Sequence, residues 1–209
     1  MCIRDSLEGF EEMVECKTLF IDHHMIKRDL NSARIVHINP RFDMPETYQP
    51  VAYVVYKLLS AIVDLKDKEW IAVLGTIGDY GFEDCKDIVG KYVKATSSSD
   101  LPKTDFWKVA LVLNGSAFEI GFNEVVKILM SAKDLEELKN NKLLNKAYES
   151  YEKEYNRCKE EFWRNAEEVE ELNLIISVIK PMHIRMGSSI STELGIKHKD
   201  KMIILLEKI

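Results

Sequence analysis

The sequence predicts an α/β protein with a mostly parallel sheet, a helical connector and a second, partial α/β region. Three observations support this fold class. Short apolar runs and helical patterns follow one another up to about residue 95. Residues 133–171 form a charged stretch without proline or glycine, which is typical of long helices. Strand, helix and strand patterns then recur. The predicted regions are therefore residues 1–95, 96–171 and 172–209.

The first region begins with two short strand patterns and continues with two helix patterns. "KTLFI" and "SARIVHINP" are predicted strands, and the second is closed by the turn signal Asn39-Pro40. "TYQPVAYVVYKLLSAIVD" is predicted to be a helix with Pro50 in its first turn. A more continuously apolar helix, predicted from Glu69 to about Ile77, should lie in the core and end at Gly78-Asp79.

The later part of the chain changes from helical to mixed patterns. "FNEVVKILMSA" is predicted to be a helix, and residues 133–171 to be one or two long helices with a solvated face. "LIISVI" and "MIILLEKI" are predicted strands on either side of the helix "GSSISTELGI". A β-α-β unit that stops at a strand is expected to be part of a longer domain.

Composition excludes several classes of protein. The chain of 209 residues is 46% hydrophobic and 31% charged, which is typical of globular domains. It has no run of roughly 18 apolar residues, so no membrane association is expected, and "MCIRDSLEGF" lacks the apolar segment of a secretory signal. The cysteines Cys2, Cys16, Cys85 and Cys158 lie far apart, which indicates free thiols in a reducing cytoplasm.

The net charge limits the kind of partner. Proteins that bind long nucleic acids usually present a basic surface, whereas this chain has a formal net charge of −6 and a pI near 5.5. Any nucleic-acid role therefore requires a local basic groove, a short substrate or metal ions that supply the positive charge.

Three polar side chains follow the first predicted strand. In a regular strand, neighbouring residues point to opposite faces, so His23 and His24 would make a poor pair of ligands for one ion. At the C-terminal end of a strand, however, the chain leaves the sheet, and open α/β sheets bind ligands there. Asp22, His23 and His24 are therefore either the start of a surface turn or part of a binding site.

Asp79 favours the second interpretation. A carboxylate at the C-terminus of an apolar helix lies against the helix dipole, and it usually has a compensating cation. A divalent ion shared with His23 would supply that cation. Ligation by aspartate and histidine suits Mn²⁺, Fe²⁺, Co²⁺ or Zn²⁺ better than Mg²⁺ or Ca²⁺. The alternative is an ordinary surface aspartate after a helix.

The segments "TLFIDHHMI", "HINPR" and "AVLGTIGDYG", in this order, resemble the DHH phosphoesterase superfamily, especially its RecJ-like, archaeal-type branch. The resemblance covers residues 8 to about 95 as a catalytic domain. It continues more weakly through the connector into residues 172–209, which are similar to the start of the DHH-associated substrate-binding domain.

The resemblance implies a role for each residue of the motif. His23 and Asp79 would ligate one of two Mn²⁺ ions, His24 would face the scissile phosphate, and Asp22 would orient the histidines. The implied reaction is two-metal hydrolysis of phosphodiester bonds, with single-stranded nucleic acid or a short oligonucleotide as substrate. Other branches imply two alternatives: hydrolysis of a cyclic dinucleotide or polyphosphate, or a non-catalytic binding partner.

The chain departs from the family pattern at both ends. The earlier acidic motif of the family is absent, Asp5 is the nearest candidate for its next aspartate, and "MCIRDS" does not resemble family sequence. The glycine-rich histidine loop of the associated domain is also absent. We therefore expect a fragment truncated at both ends, with part of the ligand set and little activity alone.

A second candidate site lies in "HIRMGSSIST". The resemblance places this segment in the part of the associated domain that contacts substrate. Arg185 and Ser188 would bind a phosphate or a terminal nucleotide, together with backbone N–H groups of the helix that follows Gly187. The alternative is that Ser188 and Ser191 only cap and pack that helix.

Overall fold

The computed structural model describes residue 9, residues 11–182 and residues 184–208. Asp5 and the segment "MCIRDS" lie outside these ranges. The chain forms two compact units: the first unit runs to Leu111 and includes Lys133–Glu136, and the second unit comprises Val112–Ala132 and the chain from Glu137 onward. Both the helices and the small sheets make this an α/β protein, as predicted.

The predicted helices and strands occur in the predicted order, but the helices Lys86–Tyr92 and Asp105–Ile120 and the strand Glu167–Val169 were not predicted. The strands are β1 Thr18–Ile21, β2 Ile35–Ile38, β3 Glu167–Val169, β4 Leu174–Ile179 and β5 Met202–Glu207. The helices are α1 Val51–Ser60, α2 Glu69–Gly78, α3 Lys86–Tyr92, α4 Asp105–Ile120, α5 Phe122–Ser131, α6 Leu135–Lys139, α7 Lys142–Arg164 and α8 Gly187–Lys197. Short 3-10 turns lie at Glu11–Met13, Pro40–Phe42, Lys66–Lys68, Glu83–Cys85, Ser98–Lys103 and Glu170–Leu172.

In the first unit, β1 and β2 form a parallel pair with Thr18 opposite Ile35 and Ile21 opposite Ile38. Parallel strands are usually joined by a crossover helix, but here the connection is a loop that carries the Asp-His-His sequence. Asn31 fastens this loop to β2, because its side chain accepts a hydrogen bond from the His37 N–H and donates one to the His37 carbonyl. The loop therefore has a fixed path from the end of β1.

Helix α2 forms the core of the first unit, as its continuous apolar sequence predicted. Val73 and Ile77 are fully buried, and Leu74 is nearly so. Close packing against α1 requires a glycine at position 75, because a Cβ there would lie 2.7 Å from the Ala52 Cβ. The helix ends at Gly78, as predicted, and so presents Asp79 at its C-terminus.

The second unit packs helices against one face of a three-stranded sheet. The strand order is β3-β4-β5, with β4 and β5 parallel and β3 antiparallel to β4. The core of this unit joins α7, α8 and the sheet through the buried residues Cys158, Phe162, Ile175, Ile179, Ile184, Met186, Ile190 and Leu194. Two of the three strand pairings in the described chain are therefore parallel, and both sheets are small.

One predicted element was wrong in part. Residues 133–171 were expected to be helical throughout, but the helix α7 ends at Arg164 and residues Glu167–Val169 form β3. The strand is a product of pairing with β4, since its sequence "EEV" has no apolar alternation of its own. None of the helices in the described part of the chain is both long and apolar enough to cross a membrane.

Candidate metal centre

The Asp-His-His sequence lies where β1 leaves its sheet. The Asp22 N–H donates to the Ile38 carbonyl over 3.0 Å, which extends the pairing with β2 by one residue beyond the strand. After Asp22 the chain turns away from the sheet, so His23 and His24 are no longer constrained to opposite faces. Their rings stack, with centroids 4.3 Å apart and an interplanar angle of 28°. The geometric objection to the histidine pair therefore does not hold.

Asp22 orients His24. The Asp22 Oδ1 atom is 2.7 Å from His24 Nδ1 and also accepts the His24 backbone N–H over 3.3 Å. Burial alone would raise the pKa of Asp22, but the hydrogen bonds from His24 and the backbone outweigh it, so this pKa lies below its ordinary value of 3.8. An ionised Asp22 accepts the proton of His24 Nδ1, and in that tautomer Nε2 is the nitrogen that keeps the lone pair.

His23 is buried, with 8% of its surface exposed, and its two ring nitrogens have different surroundings. Nε2 lies 3.2 Å from Asp79 Oδ2, whereas Nδ1 is buried without a hydrogen-bond partner among the described residues. Burial lowers the pKa of His23 below its ordinary value of 6.5, and attraction by Asp79 offsets this only in part. A neutral imidazole is the form that coordinates metal ions.

Asp79 reaches His23 from the C-terminus of α2. Its N–H donates to the carbonyls of Gly75 and Ile77, and its carboxylate is about half exposed. A tight turn follows Asp79, and glycines flank it at positions 78 and 81. The left-handed conformation falls on Tyr80, whose φ is 60°, while Gly81 is required because a Cβ there would lie 2.5 Å from Pro50.

The backbone of the two histidines is held by residues that follow β2. Asn39 Nδ2 donates to the His24 carbonyl over 3.0 Å, and Arg41 Nε donates to the His23 carbonyl over 2.9 Å. Asn39 also caps the 3-10 turn Pro40–Phe42 by accepting the Arg41 N–H. Sequence reasoning used "HINPR" only as part of the resemblance and missed these contacts. The polar residues beside a proline turn were the available signal.

The arrangement fits a divalent metal ion. One ligand atom from each of Asp22, His23 and His24 lies within 4.8 Å of the others, and no other group of three such residues occurs in the described part of the chain. Asp79 adds a second carboxylate beside His23. Imidazole and carboxylate donors suit Mn²⁺, Fe²⁺, Co²⁺ or Zn²⁺.

Arg185 and Ser188 lie in the second unit. Both are exposed, and Arg185 has no ion pair with a described residue. The first N–H groups at the start of α8 are occupied by the chain itself, because Glu207 Oε1 accepts those of Met186 and Gly187 over 2.7 and 3.2 Å. The Ser188 carbonyl accepts the hydroxyls of Ser191 and Thr192, and Ser188 does not cap the helix.

No model of a protein family matches the chain, and no curated protein matches it.

Proposed function

We propose that the Asp22, His23, His24 and Asp79 cluster is a divalent-metal centre for the hydrolysis of phosphodiester bonds, with Mn²⁺ as the ion. The observation that carries this proposal is the approach of His23 Nε2 to Asp79 Oδ2, at 3.2 Å, from two elements far apart in sequence. A neutral histidine and a carboxylate that meet in this way form half of a typical transition-metal coordination sphere. The resemblance of the motifs to DHH phosphoesterases supports the reaction class.

Each residue has a distinct role in this proposal. His23 and Asp79 hold the ion, and Asn39 and Arg41 hold the backbone that carries His23 and His24. Asp22 keeps the His24 ring in the tautomer whose Nε2 holds the lone pair, so that, beside the scissile phosphate, Nε2 can accept a hydrogen bond from the attacking water. A bound divalent ion supplies Lewis-acid activation of the phosphoester and of the attacking water.

The proposed substrate is single-stranded nucleic acid or a short oligonucleotide, cleaved in the cytoplasm by a RecJ-like exonuclease or an oligonucleotide phosphodiesterase. The ligands of a second Mn²⁺ ion are not evident among the described residues, since they contain a single cluster of three candidate ligands. We therefore expect this chain to bind metal and substrate but to turn substrate over slowly. In the second unit, Arg185 and Ser188 would contact a phosphate or a terminal nucleotide.

The net charge of −6 favours a second candidate, a hydrolase for a small substrate such as a cyclic dinucleotide or a polyphosphate. A small ligand does not require the basic surface that a long strand of nucleic acid would. A non-catalytic binding partner is the third possibility, and it is an outcome of the test described next.

Binding of Mn²⁺ and of a fluorescent single-stranded oligonucleotide tests the proposal. Calorimetry reports the metal, and fluorescence anisotropy reports the oligonucleotide with and without Mn²⁺. The wild-type chain should bind the oligonucleotide only with Mn²⁺. His23→Ala should lose both ligands, His24→Ala should lose the oligonucleotide alone, and the control His198→Ala, in the second unit, should lose neither.

Three results separate the candidates. Failure of the wild-type chain to bind Mn²⁺ would overturn the proposal. Displacement of the oligonucleotide by a cyclic dinucleotide at much lower concentration would favour the small-substrate hydrolase. Binding of the oligonucleotide that is equally strong without Mn²⁺ would indicate a non-catalytic partner. Release of mononucleotides, measured in the same samples, should be slow and should require Mn²⁺.

A further inference from the structure

Tyr48 contacts both proposed metal ligands. Its hydroxyl donates to the Asp79 carbonyl over 2.9 Å, and its ring forms a T-shaped contact with the His23 ring, at a centroid distance of 5.5 Å and an angle of 86°. Its own backbone is fixed, because the Tyr48 N–H donates to Asp84 Oδ2 over 2.7 Å. Among the described residues, the rings of His24 and Tyr48 are the two that contact the His23 ring.

The Asp79 carboxylate depends on its backbone for its position. The side chain is about half exposed, so packing restricts it little. The N–H of Asp79 is held by the last turn of α2, and its carbonyl is held by the Tyr48 hydroxyl. These bonds fix the peptide groups on both sides of the Asp79 Cα atom. The direction of the Asp79 Cα–Cβ bond is thereby set.

The His23 ring is oriented by packing instead of by a hydrogen bond. In histidines that ligate metals, the N–H of the second ring nitrogen usually donates a hydrogen bond to a carboxylate or carbonyl, and this bond fixes the ring. In this chain, His23 Nδ1 has no hydrogen-bond partner among the described residues. The ring instead stacks on the ring of His24 and makes a T-shaped contact with the ring of Tyr48. These two ring contacts orient the His23 ring in place of a hydrogen bond.

We infer that Tyr48 is a positioning residue of the metal centre, which holds His23 Nε2 and the Asp79 carboxylate at the separation that a divalent ion requires. The inference rests on the proposed function. The hydroxyl acts on Asp79 and the ring acts on His23, so the two parts of the side chain can be removed one after the other. Tyr48→Phe removes the first contact, and Tyr48→Leu removes both.

Tyr56 provides a control, because it contacts the N-terminal end of α2, whereas Tyr48 contacts the residue that follows the C-terminal end of α2. The Tyr56 hydroxyl donates to Glu69 Oε2 over 2.9 Å, and Glu69 is the first residue of α2, whereas Asp79 follows the last. Tyr56→Phe therefore removes the same atom and one hydroxyl hydrogen bond to α2, here to a side-chain carboxylate, without touching the proposed ligands. A purely structural role for Tyr48 predicts that the two phenylalanine variants behave alike.

The test measures Mn²⁺ affinity by calorimetry, the electron paramagnetic resonance spectrum of bound Mn²⁺, and the melting temperature of the 209-residue chain. Loss of a residue that supports a metal ligand usually weakens affinity about 10- to 100-fold. We expect about 10-fold for Tyr48→Phe and about 100-fold for Tyr48→Leu, with broadened resonance lines in both. Tyr56→Phe should lower the melting temperature as much as Tyr48→Phe but leave affinity and spectrum unchanged.

The outcomes distinguish this inference from the proposed function. Wild-type affinity and spectrum in Tyr48→Phe and Tyr48→Leu would overturn the role of Tyr48 and leave the metal centre intact. Equal losses of affinity in Tyr48→Phe and Tyr56→Phe would also overturn it, because both would then follow from stability. Absence of Mn²⁺ binding in the wild-type chain would overturn the proposed function and, with it, the role of Tyr48.

Discussion

Two buried polar groups of this chain differ in how completely they are hydrogen-bonded. Glu154 in α7 is 2% exposed, and its carboxylate accepts bonds from Arg157 Nε and Nη2 and from the Met182 N–H, over 2.8, 2.9 and 2.7 Å. His23 is 8% exposed, and one of its nitrogens has no partner among the described residues. A buried polar group without a partner lowers stability. The contacts of Glu154 explain its burial as part of the fold, whereas no such contact explains the burial of the unpaired His23 nitrogen.

The Glu154 group explains why the chain beyond β4 has a fixed path. Arg157 Nη2 donates to the Lys180 carbonyl over 2.8 Å, and Glu161 Oε2 accepts the Lys180 N–H over 3.2 Å. Together with the bond from Met182, these contacts fasten the segment after β4 to helix α7. The network stabilises the second unit, and its polar atoms are occupied by hydrogen bonds within that unit. Both ring nitrogens of His37 are also buried without a partner among the described residues, so incomplete hydrogen bonding alone does not mark a site. The Asp79 carboxylate beside His23 is the feature that distinguishes His23.

The largest effect should come from breaking the complete network. Glu154→Gln keeps the shape of the side chain but removes the charge that pairs with Arg157, and removal of one partner from a buried ion pair costs about 3–5 kcal/mol. Since Arg157 is 37% exposed, we expect a loss near the lower end, roughly 3 kcal/mol, in the free energy of unfolding. Urea denaturation measures it.

Glu160→Gln is the matched control for that prediction. Glu160 lies in the same helix, but it is exposed. Its substitution should change the free energy of unfolding by less than about 0.5 kcal/mol. Similar losses in the two variants would show that helix charge, and not the buried pair, determines the result.

Acid should remove the same stabilisation. Hydrogen bonds from Arg157 lower the pKa of Glu154 from 4.5 to about 2, although burial opposes this. Because the folded pKa lies below the unfolded one, the contribution is complete above pH 4.5 and is lost as pH falls towards 2. The contribution of Glu154 to the free energy of unfolding that is lost in this way is roughly 3 kcal/mol. Urea midpoints of the wild type and Glu154→Gln should converge over that range, and a constant gap would contradict the assignment.

A smaller effect is expected at the incomplete cluster when its backbone support is altered. Asn39→Asp keeps the acceptor for the Arg41 N–H but loses the donor to the His24 carbonyl. We expect Mn²⁺ affinity to fall about 10-fold, measured by calorimetry. Asn165→Asp loses an equivalent donor to the Val178 carbonyl in the second unit and should leave the affinity unchanged. If both variants bind Mn²⁺ like the wild type, Asn39 does not support the site.

The smallest effect is expected at Arg185. This side chain is exposed and has no described ion pair, so Arg185→Ala should change the free energy of unfolding by less than about 0.5 kcal/mol. A phosphate contact by Arg185 predicts weaker binding of the oligonucleotide at low salt and a smaller dependence on salt concentration. Arg164→Ala, which removes an exposed arginine at the end of α7, is the control. Equal salt dependence in both variants would exclude the contact.

The sequence predicted the elements of this chain better than the contacts between them. Apolar runs locate β1, β2 and α2, and the end of α2 at Gly78 follows from its glycine. The approach of Asp79 to His23 was expected from the misplaced charge at a helix end. By contrast, β3 forms through its pairing with β4, and the local sequence "EEV" has no pattern that predicts a strand.

The residues that support the site left a weaker signal. Asn39, Arg41 and Tyr48 act through bonds to backbone carbonyls that lie far away in sequence. Asparagine is common in turns that bind nothing, and a single arginine or tyrosine forms no local sequence pattern. The occupation of the α8 N-terminus by Glu207 was hidden for the same reason, since it depends on how β5 lies beside that helix. Such contacts are set by tertiary structure.

Titration of Mn²⁺ into the wild-type chain and Asp79→Asn tests the metal centre most directly. The Asp79 carboxylate is about half exposed, so its replacement by an amide should leave the free energy of unfolding within about 1 kcal/mol of the wild type. The wild type should bind a Mn²⁺ ion, and the variant should bind it more than about 10-fold more weakly. Equal affinity in the two proteins, or no binding by the wild type, would contradict a metal centre at His23 and Asp79.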